Sequence, residues 1–279
     1  MDQTKFLYVR LQFCEQMNFL DDVLHGQKQE CKNPYPVGWI TGPPGTCKSS
    51  STLAYALTID QNIWAVTWIS CGRWYAPQFV QFIGNVQRTS CPMENIVKWI
   101  HVILNDVDKK YKHVVFLDGI RFGDQCHERT LNACHVWLLH NFQERRLVVI
   151  SSMSARTTNS STEEKLFGLK NLFVDSWILK DYLEAVRNAD FFSSVKEKLN
   201  SSLDRAVTPA QLVKSKFHYA GGNCRLMFDY TKEDVVHLLN EALTRCDDVL
   251  KYLKGQIGDS VIVYLFSFVV SQLCKQGSR

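Results

Sequence analysis

Val37-Gly38-Trp39-Ile40-Thr41-Gly42-Pro43-Pro44-Gly45-Thr46-Cys47-Lys48-Ser49-Ser50-Ser51 is the stretch whose reading decides the fold. An apolar run ending at Ile40 and Thr41 suits a buried parallel strand, and the Gly/Pro cluster behind it breaks that strand before a helix begins at Lys48. Strand, loop and helix in this order invite comparison with the phosphate-loop pattern G-x-x-x-x-G-K-[ST]. Gly42, Pro43, Pro44, Gly45, Thr46, Cys47, Lys48 and Ser49 match it everywhere except at Cys47, which stands where the pattern has its last glycine.

The chemistry accounts for the residue types. Main-chain N–H groups of such a loop and of the first helical turn converge on a phosphate, and the positive end of the helix dipole favours the anion. Gly42 and Gly45 allow close approach, Lys48 bridges the β- and γ-phosphates as a point charge, and the Ser49 hydroxyl ligates Mg²⁺. The expected nucleotide-binding set therefore runs from Gly42 through Ser50, with ATP and Mg²⁺ as the ligands. Cys47 adds a Cβ to the wall of the cradle, and a positive φ there costs about 1 kcal/mol or more. Weakened nucleotide affinity is the expectation.

The second signal is Lys112-His113-Val114-Val115-Phe116-Leu117-Asp118-Gly119, a run that fits a strand buried on both faces with an acid at its carboxyl tip. That is the place of the Walker B residue, so Asp118 and Ser49 are the expected Mg²⁺ ligands and Asp118 a catalytic residue. Many ATPases carry a glutamate next, which orients the attacking water; here the residue is Gly119. Asp124 either substitutes for it or is a solvated loop acid. Arg146 to Ile150 reads as a further buried strand, and Ser152 at its tip either serves as sensor 1, touching the γ-phosphate or the water, or simply ends the strand. Trp64 to Cys71 reads as another strand, with Ser70 and Arg73 at the edge where open α/β sheets place ligands.

Met93 to Val107 and Gln125 to Phe142 have helical periodicity, and Leu172 to Asp175 suits a fifth strand. From Leu179 the pattern is helical, over 179–188, 191–199, 209–214 and 231–253, the last opening on Thr231-Lys232-Glu233-Asp234, a capping-box sequence. Phe217-His218-Tyr219-Ala220-Gly221-Gly222-Asn223-Cys224-Arg225-Leu226-Met227-Phe228 interrupts this part. Arg225 there is either the sensor 2 arginine of a helical lid or a surface residue after a glycine turn.

The fold class expected is α/β, a P-loop NTPase of AAA-like or STAND-like type, with a three-layer core around a parallel sheet followed by a helical lid. The expected divisions are a lead-in over 1–34, the core over 35–178, the lid over 179–255 and an apolar C-terminal segment over 256–279, which reads as truncated. A chain of 279 residues with 46% hydrophobic content can fill such a core. The net charge of +4 is spread without a basic run, so generic nucleic-acid binding is not indicated. Ten cysteines without a C-x-x-C point to a reduced, intracellular protein of cytoplasm or nucleus. Cys126-His127 and Cys134-His135 fall on diverging helix faces, which argues against zinc. The N-terminus lacks a secretory layout, and the apolar run from Val261 to Val270 is short of a membrane span.

These motifs together resemble the NTPase region of Crinkler-type effectors and the related retrotransposon hot spot proteins. The resemblance covers residues from about 5 to 260 and is carried by Gly42 to Ser49, Val114 to Gly119, Ile150-Ser151-Ser152-Met153, Trp177 to Val186 and, most specifically, Ala220 to Phe228. It implies an ATPase core that in the family lies between a translocation header and a C-terminal toxin, in proteins of fungi and oomycetes delivered into host cells. Host protein or DNA partners, oligomerisation, and secretion to the host follow only from that resemblance. Neither header nor signal precedes the phosphate loop here, so the expectation is a truncated, degenerate or binding-only relative. The rival reading is a non-enzymatic P-loop fold kept for protein or DNA interaction. A nuclease in this chain is disfavoured, since no acid-and-lysine cluster outside the loop region demands one.

Overall fold

The computed structural model describes residues 8–26, 36–72, 77–84, 86–89, 96–121, 123–152, 169–200 and 208–244. Arg73 and the apolar run from Val261 to Val270 lie outside these. The chain forms two compact units: one gathers Met1–Leu11, Pro43–Cys47 and Asp175–Arg279, the other Gln12–Gly42 and Lys48–Val174.

The second of these units is built on a seven-stranded sheet. In chain order its elements are α1 (Leu11–His25), β1 (Val37–Thr41), α2 (Lys48–Ala56), β2 (Trp64–Ser70), β3 (Gln78–Ile83), β4 (Val86–Thr89), α3 (Ile96–Asn105), β5 (Lys112–Ile120), α4 (Gln125–Leu139), β6 (Arg145–Ser151) and β7 (Leu169–Phe173). The strand order is β4-β3-β2-β5-β6-β1-β7. β7, β1, β6, β5 and β2 run parallel, whereas β3 and β4 add an antiparallel hairpin at one edge. Sequence periodicity left this hairpin unassigned, because β3 is half-buried and mixes apolar with amide residues.

All five residues of β1 and most of β5 and β6 are buried, as continuous apolar runs require when helices cover both faces of a parallel sheet. One core layer joins Val115, Leu117, Leu147 and Val149 to Ile100, Leu104, Leu131 and Trp137 of α3 and α4. On the opposite face, Val114, Phe116, Val148 and Ile150 meet Phe19, Leu20, Val23 and Leu24 of α1 and Tyr55 of α2. Thus α1, from the expected lead-in, is one of the helices that cover the sheet.

Register aligns the ends of the central strands. Ser70 pairs with Asp118, Asp118 with Ile150, and Ile150 with Ile40. The carboxyl ends of β1, β5 and β6, at Thr41, Asp118 and Ser151, therefore lie along one edge of the sheet. Between β1 and β2 the sheet inserts β6 and β5, so the chain reverses its direction of winding beside β1, the topological position where open α/β sheets bind ligands.

Among the described residues after Asp175 the other unit has the helices α5 (Leu179–Ala185), α6 (Ala189–Leu199), α7 (Pro209–Ala220), α8 (Cys224–Phe228) and α9 (Lys232–Thr244). Its core gathers Trp177, Tyr182, Val213, Phe217, Leu226 and Met227. Thr208 caps α7 in a reciprocal box with Gln211, and Thr231 with Asp234 does the same for α9 at 3.1 Å in each direction. The capping sequence read at 231 is thus realised.

Lys216 is fully buried in this unit and donates to the carbonyl oxygens of Lys198, Met227 and Tyr230. Burial, with Lys198 nearby, pulls its ammonium down from 10.5 to about 8. The unfolded chain then holds more protons between those values, so stability should rise as pH climbs from about 8 to 10.5. Below about 8 the burial penalty, on the order of 3 kcal/mol, is fully present. Urea unfolding of wild type and Lys216→Met across this range should show the slope in the wild type and a flatter one in the variant.

Candidate phosphate-binding site

The connection from β1 to α2 follows the phosphate-loop plan at the level of the main chain. Gly45 has φ +71° and Cys47 φ +66°, and α2 begins at the next residue, Lys48. Among the described residues Cys47 is the one non-glycine residue with a positive φ. The left-handed backbone that the missing glycine would have supplied is therefore present, and Cys47 carries its strain, about 1 kcal/mol or more.

In the sheet unit, the Ser49 hydroxyl on the first turn of α2 donates to Asp118 Oδ1 at 2.7 Å. Two residues 69 positions apart, chosen from sequence as partners for one metal ion, thus meet in hydrogen-bond contact. The buried Lys48 ammonium donates to the Gly42 carbonyl at 2.8 Å, reaching back along the loop to where it leaves β1. Gln16 of α1 holds the start of α2 from beneath, donating to the Lys48 carbonyl at 2.9 Å and to Thr52 Oγ1 at 2.6 Å. Ser50 is exposed on the same turn.

Asp118 is not the last residue of its strand, since β5 continues to Ile120 through an irregularity at Gly119. Gly119 has φ +85°, and a Cβ built there would lie 2.6 Å from the Cys71 carbonyl oxygen. That carbonyl belongs to main chain already tied to this point, because the Cys71 N–H donates to the Asp118 carbonyl at 2.7 Å. A glutamate in the usual water-orienting position has no room. Asp124 does not replace it in this structure: its carboxylate caps α4, accepting from the Cys126 and His127 N–H groups at 2.9 and 3.2 Å. Ser152 directly follows β6 and is half-buried, while its neighbour Ser151 accepts from the Trp39 indole at 2.9 Å.

Pro43 to Cys47 belong to the helical unit. The Cys224 N–H donates to the Gly45 carbonyl at 2.8 Å, and a Cβ on Gly45 would fall 1.8 Å from Asn223 Oδ1. Asn223 caps the short helix α8 through the N–H groups of Arg225 and Leu226, while its buried Nδ2 has no hydrogen-bond partner among the described residues. The Cys47 side chain packs in the helical cluster with its sulfur 2.9 Å from that of Cys224. Arg10, almost fully buried, donates to the Asp175 carbonyl at 2.7 Å and the Thr46 carbonyl at 3.4 Å, and stacks over Trp177. Arg225, the second residue of α8, is exposed.

Sequence reasoning missed Arg10, an isolated arginine in a segment of mixed polarity with no pattern to mark it. Asn223 and Cys224 stood inside a singled-out motif without a role. The only signal was the adjacency of two glycines to a capping residue, which shows that main chain comes close but not to what.

No family model matches the chain, and no curated protein does. Among solved structures the chain is similar to PCH-2 of C. elegans, at 11% identity over 96% of this chain and 69% of that one, with a TM-score of 0.42. It is also similar to the FIGL-1 AAA domain in complex with ADP, at 15% identity over 97% of this chain and 87% of that one, with a TM-score of 0.45. The assignment of a P-loop α/β fold rests on the strand order, the β1–loop–α2 geometry and the meeting of Ser49 with Asp118.

Replacing Gly119 by glutamate should destabilise the chain by about 2 kcal/mol or more, through the left-handed backbone and the clash with the Cys71 carbonyl. Urea denaturation checks this, and stability equal to that of wild type would show that the main chain at 119 has another conformation open to it.

Proposed function

We propose that the chain binds ATP with Mg²⁺ and hydrolyses it slowly or not at all. The observation that carries this reading is the 2.7 Å bond between Ser49 and Asp118 on the turn that also presents Lys48. A hydroxyl and a carboxylate held together are hard oxygen donors of the kind Mg²⁺ takes alongside phosphate oxygens. The unpartnered Asn223 Nδ2 beside Gly45 is a spare hydrogen-bond donor next to the loop, of the kind a phosphate oxygen accepts. When bound, the metal ion would neutralise charge on the phosphates.

The chain's own residues supply the rest. Main-chain N–H groups of the loop and of the first turn of α2 bind the phosphates, and the Lys48 ammonium adds a positive charge. Ser49 and Asp118 orient the ion. Gly119 cannot place a carboxylate for a water, which lowers turnover while leaving ground-state binding intact, since catalysis in this class depends on positioning. Ser152 and Arg225 are proposed as the residues that would sense the γ-phosphate, on their positions after β6 and in α8. The Crinkler-like affiliation, supported by the Ala220 to Phe228 motif, would place this activity in an effector acting in cytoplasm or nucleus on a host protein or DNA.

Titration with a fluorescent ATP analogue tests the reading. Wild type should bind in the presence of Mg²⁺, Lys48→Ala should weaken binding by at least about tenfold, equivalent to roughly 1.4 kcal/mol, and Asp118→Asn should remove the dependence on Mg²⁺. Wild type binding no more tightly than Lys48→Ala would overturn it in favour of a P-loop fold kept for interaction alone.

A further inference from the structure

The two sulfurs at the wall of the loop stand in a relation that nucleotide binding does not explain. Cys47 Sγ and Cys224 Sγ are 2.9 Å apart, within the helical unit, and the main chains of the two segments are already joined by the Cys224 N–H to Gly45 carbonyl bond at 2.8 Å. A disulfide has sulfurs about 2.05 Å apart, so bonding requires an approach of roughly 0.9 Å between side chains whose backbones are already held close. Both residues are half-buried, open enough for a small oxidant.

The geometry points to Cys47 and Cys224 as a reversible thiol–disulfide site, oxidised by hydrogen peroxide or a low-molecular-weight disulfide. With peroxide, the thiolate of one of the two cysteines attacks one oxygen, forming an S–O bond and breaking O–O, and the departing hydroxide takes up a proton to leave as water. The sulfur of the other cysteine then attacks the oxidised sulfur, forming S–S and expelling hydroxide, which leaves as water with the second thiol's proton. Two thiols lose two electrons, and one peroxide becomes two waters.

The surroundings select this pair. The two thiols are in sulfur–sulfur contact at 2.9 Å, so whichever is oxidised first has the other in place to resolve it. Burial pushes Cys71 well above its usual value and Cys134 up to about 12, keeping both as inert thiols. Cys14 and Cys126 are exposed, and the sulfur–sulfur hydrogen bond found among the described residues joins Cys47 and Cys224. Oxidation would fix the left-handed residue of the loop covalently to the start of α8, without requiring that a nucleotide bind there.

The test treats the full chain, fully reduced and free of nucleotide, with a small molar excess of hydrogen peroxide and maps disulfide-linked peptides by mass spectrometry. A linked pair containing Cys47 and Cys224 is expected as the dominant product, reversed by reductant and absent in both Cys47→Gly and Cys224→Ser, each first checked for a cooperative urea transition. A cross-link joining residues 177 positions apart should also raise the melting temperature of the oxidised wild type by about 5–10 °C, with no rise in either variant. Sulfenic or sulfinic acid on either cysteine without the linked pair, or linkage distributed among other cysteines, would overturn the inference. Because no nucleotide is present, the result stands apart from the Lys48→Ala titration: either reading can fail while the other holds.

Discussion

A left-handed residue immediately before α2 constrains the loop. Between β1 and α2 the chain passes through two such residues, Gly45 and then Cys47 at φ +66°, and the second is a conformation an L-residue with a side chain adopts at a cost. Everything on the first turn of α2 inherits its direction from that turn. Lys48 reaches back to Gly42, and Ser49 meets Asp118, because the helix starts where and how it does. A cysteine tolerates the position because its side chain has somewhere to go: it packs among the aromatic and aliphatic residues of the helical cluster, against a second sulfur. The penalty in the backbone is offset by burial of the side chain.

The substitution therefore reads differently in three dimensions than in the pattern. Against G-x-x-x-x-G-K-[ST], a cysteine looks like an intrusion on the phosphate. In the structure its effect falls on backbone strain and on sulfur chemistry. Gly119 is the converse case. The sequence shows only that glutamate is missing, whereas the main chain shows why it could not be there: φ of +85° and a carbonyl 2.6 Å from any Cβ. The absence of an acid after Asp118 and the irregularity in β5 are one feature.

Support from outside the first turn is distributed unevenly. Gln16 ties α1 to the start of α2, so the first described helix is part of the apparatus that fixes Lys48. In the helical unit Arg10 and Asn223 act on the loop through its carbonyl at Thr46 and its bare α-carbon at Gly45. Gln16 and Arg10 belong to no motif, and Asn223 stood in one without a role. Each is a polar group set by packing against the main chain of the loop or of the helix that follows it.

By itself the sequence determined the parallel strands, the helix after the loop and the pairing of Ser49 with Asp118, because continuous apolar runs, Gly/Pro breaks and a lysine-serine pair are local and carry their meaning in order. It also marked the cap at Thr231, a bond between residues three apart. The antiparallel β3–β4 hairpin, the role of Asp124 as a helix cap, the placement of α1 over the sheet and the meeting of Cys47 with Cys224 were decided only by tertiary structure. Each depends on which distant segment arrives at a given face, through registers, helix packing and close main-chain approach. Those are properties of the folded chain with no periodicity to announce them. A cysteine read alone is a small hydrophobe; what it can do depended on the sulfur that folding put beside it.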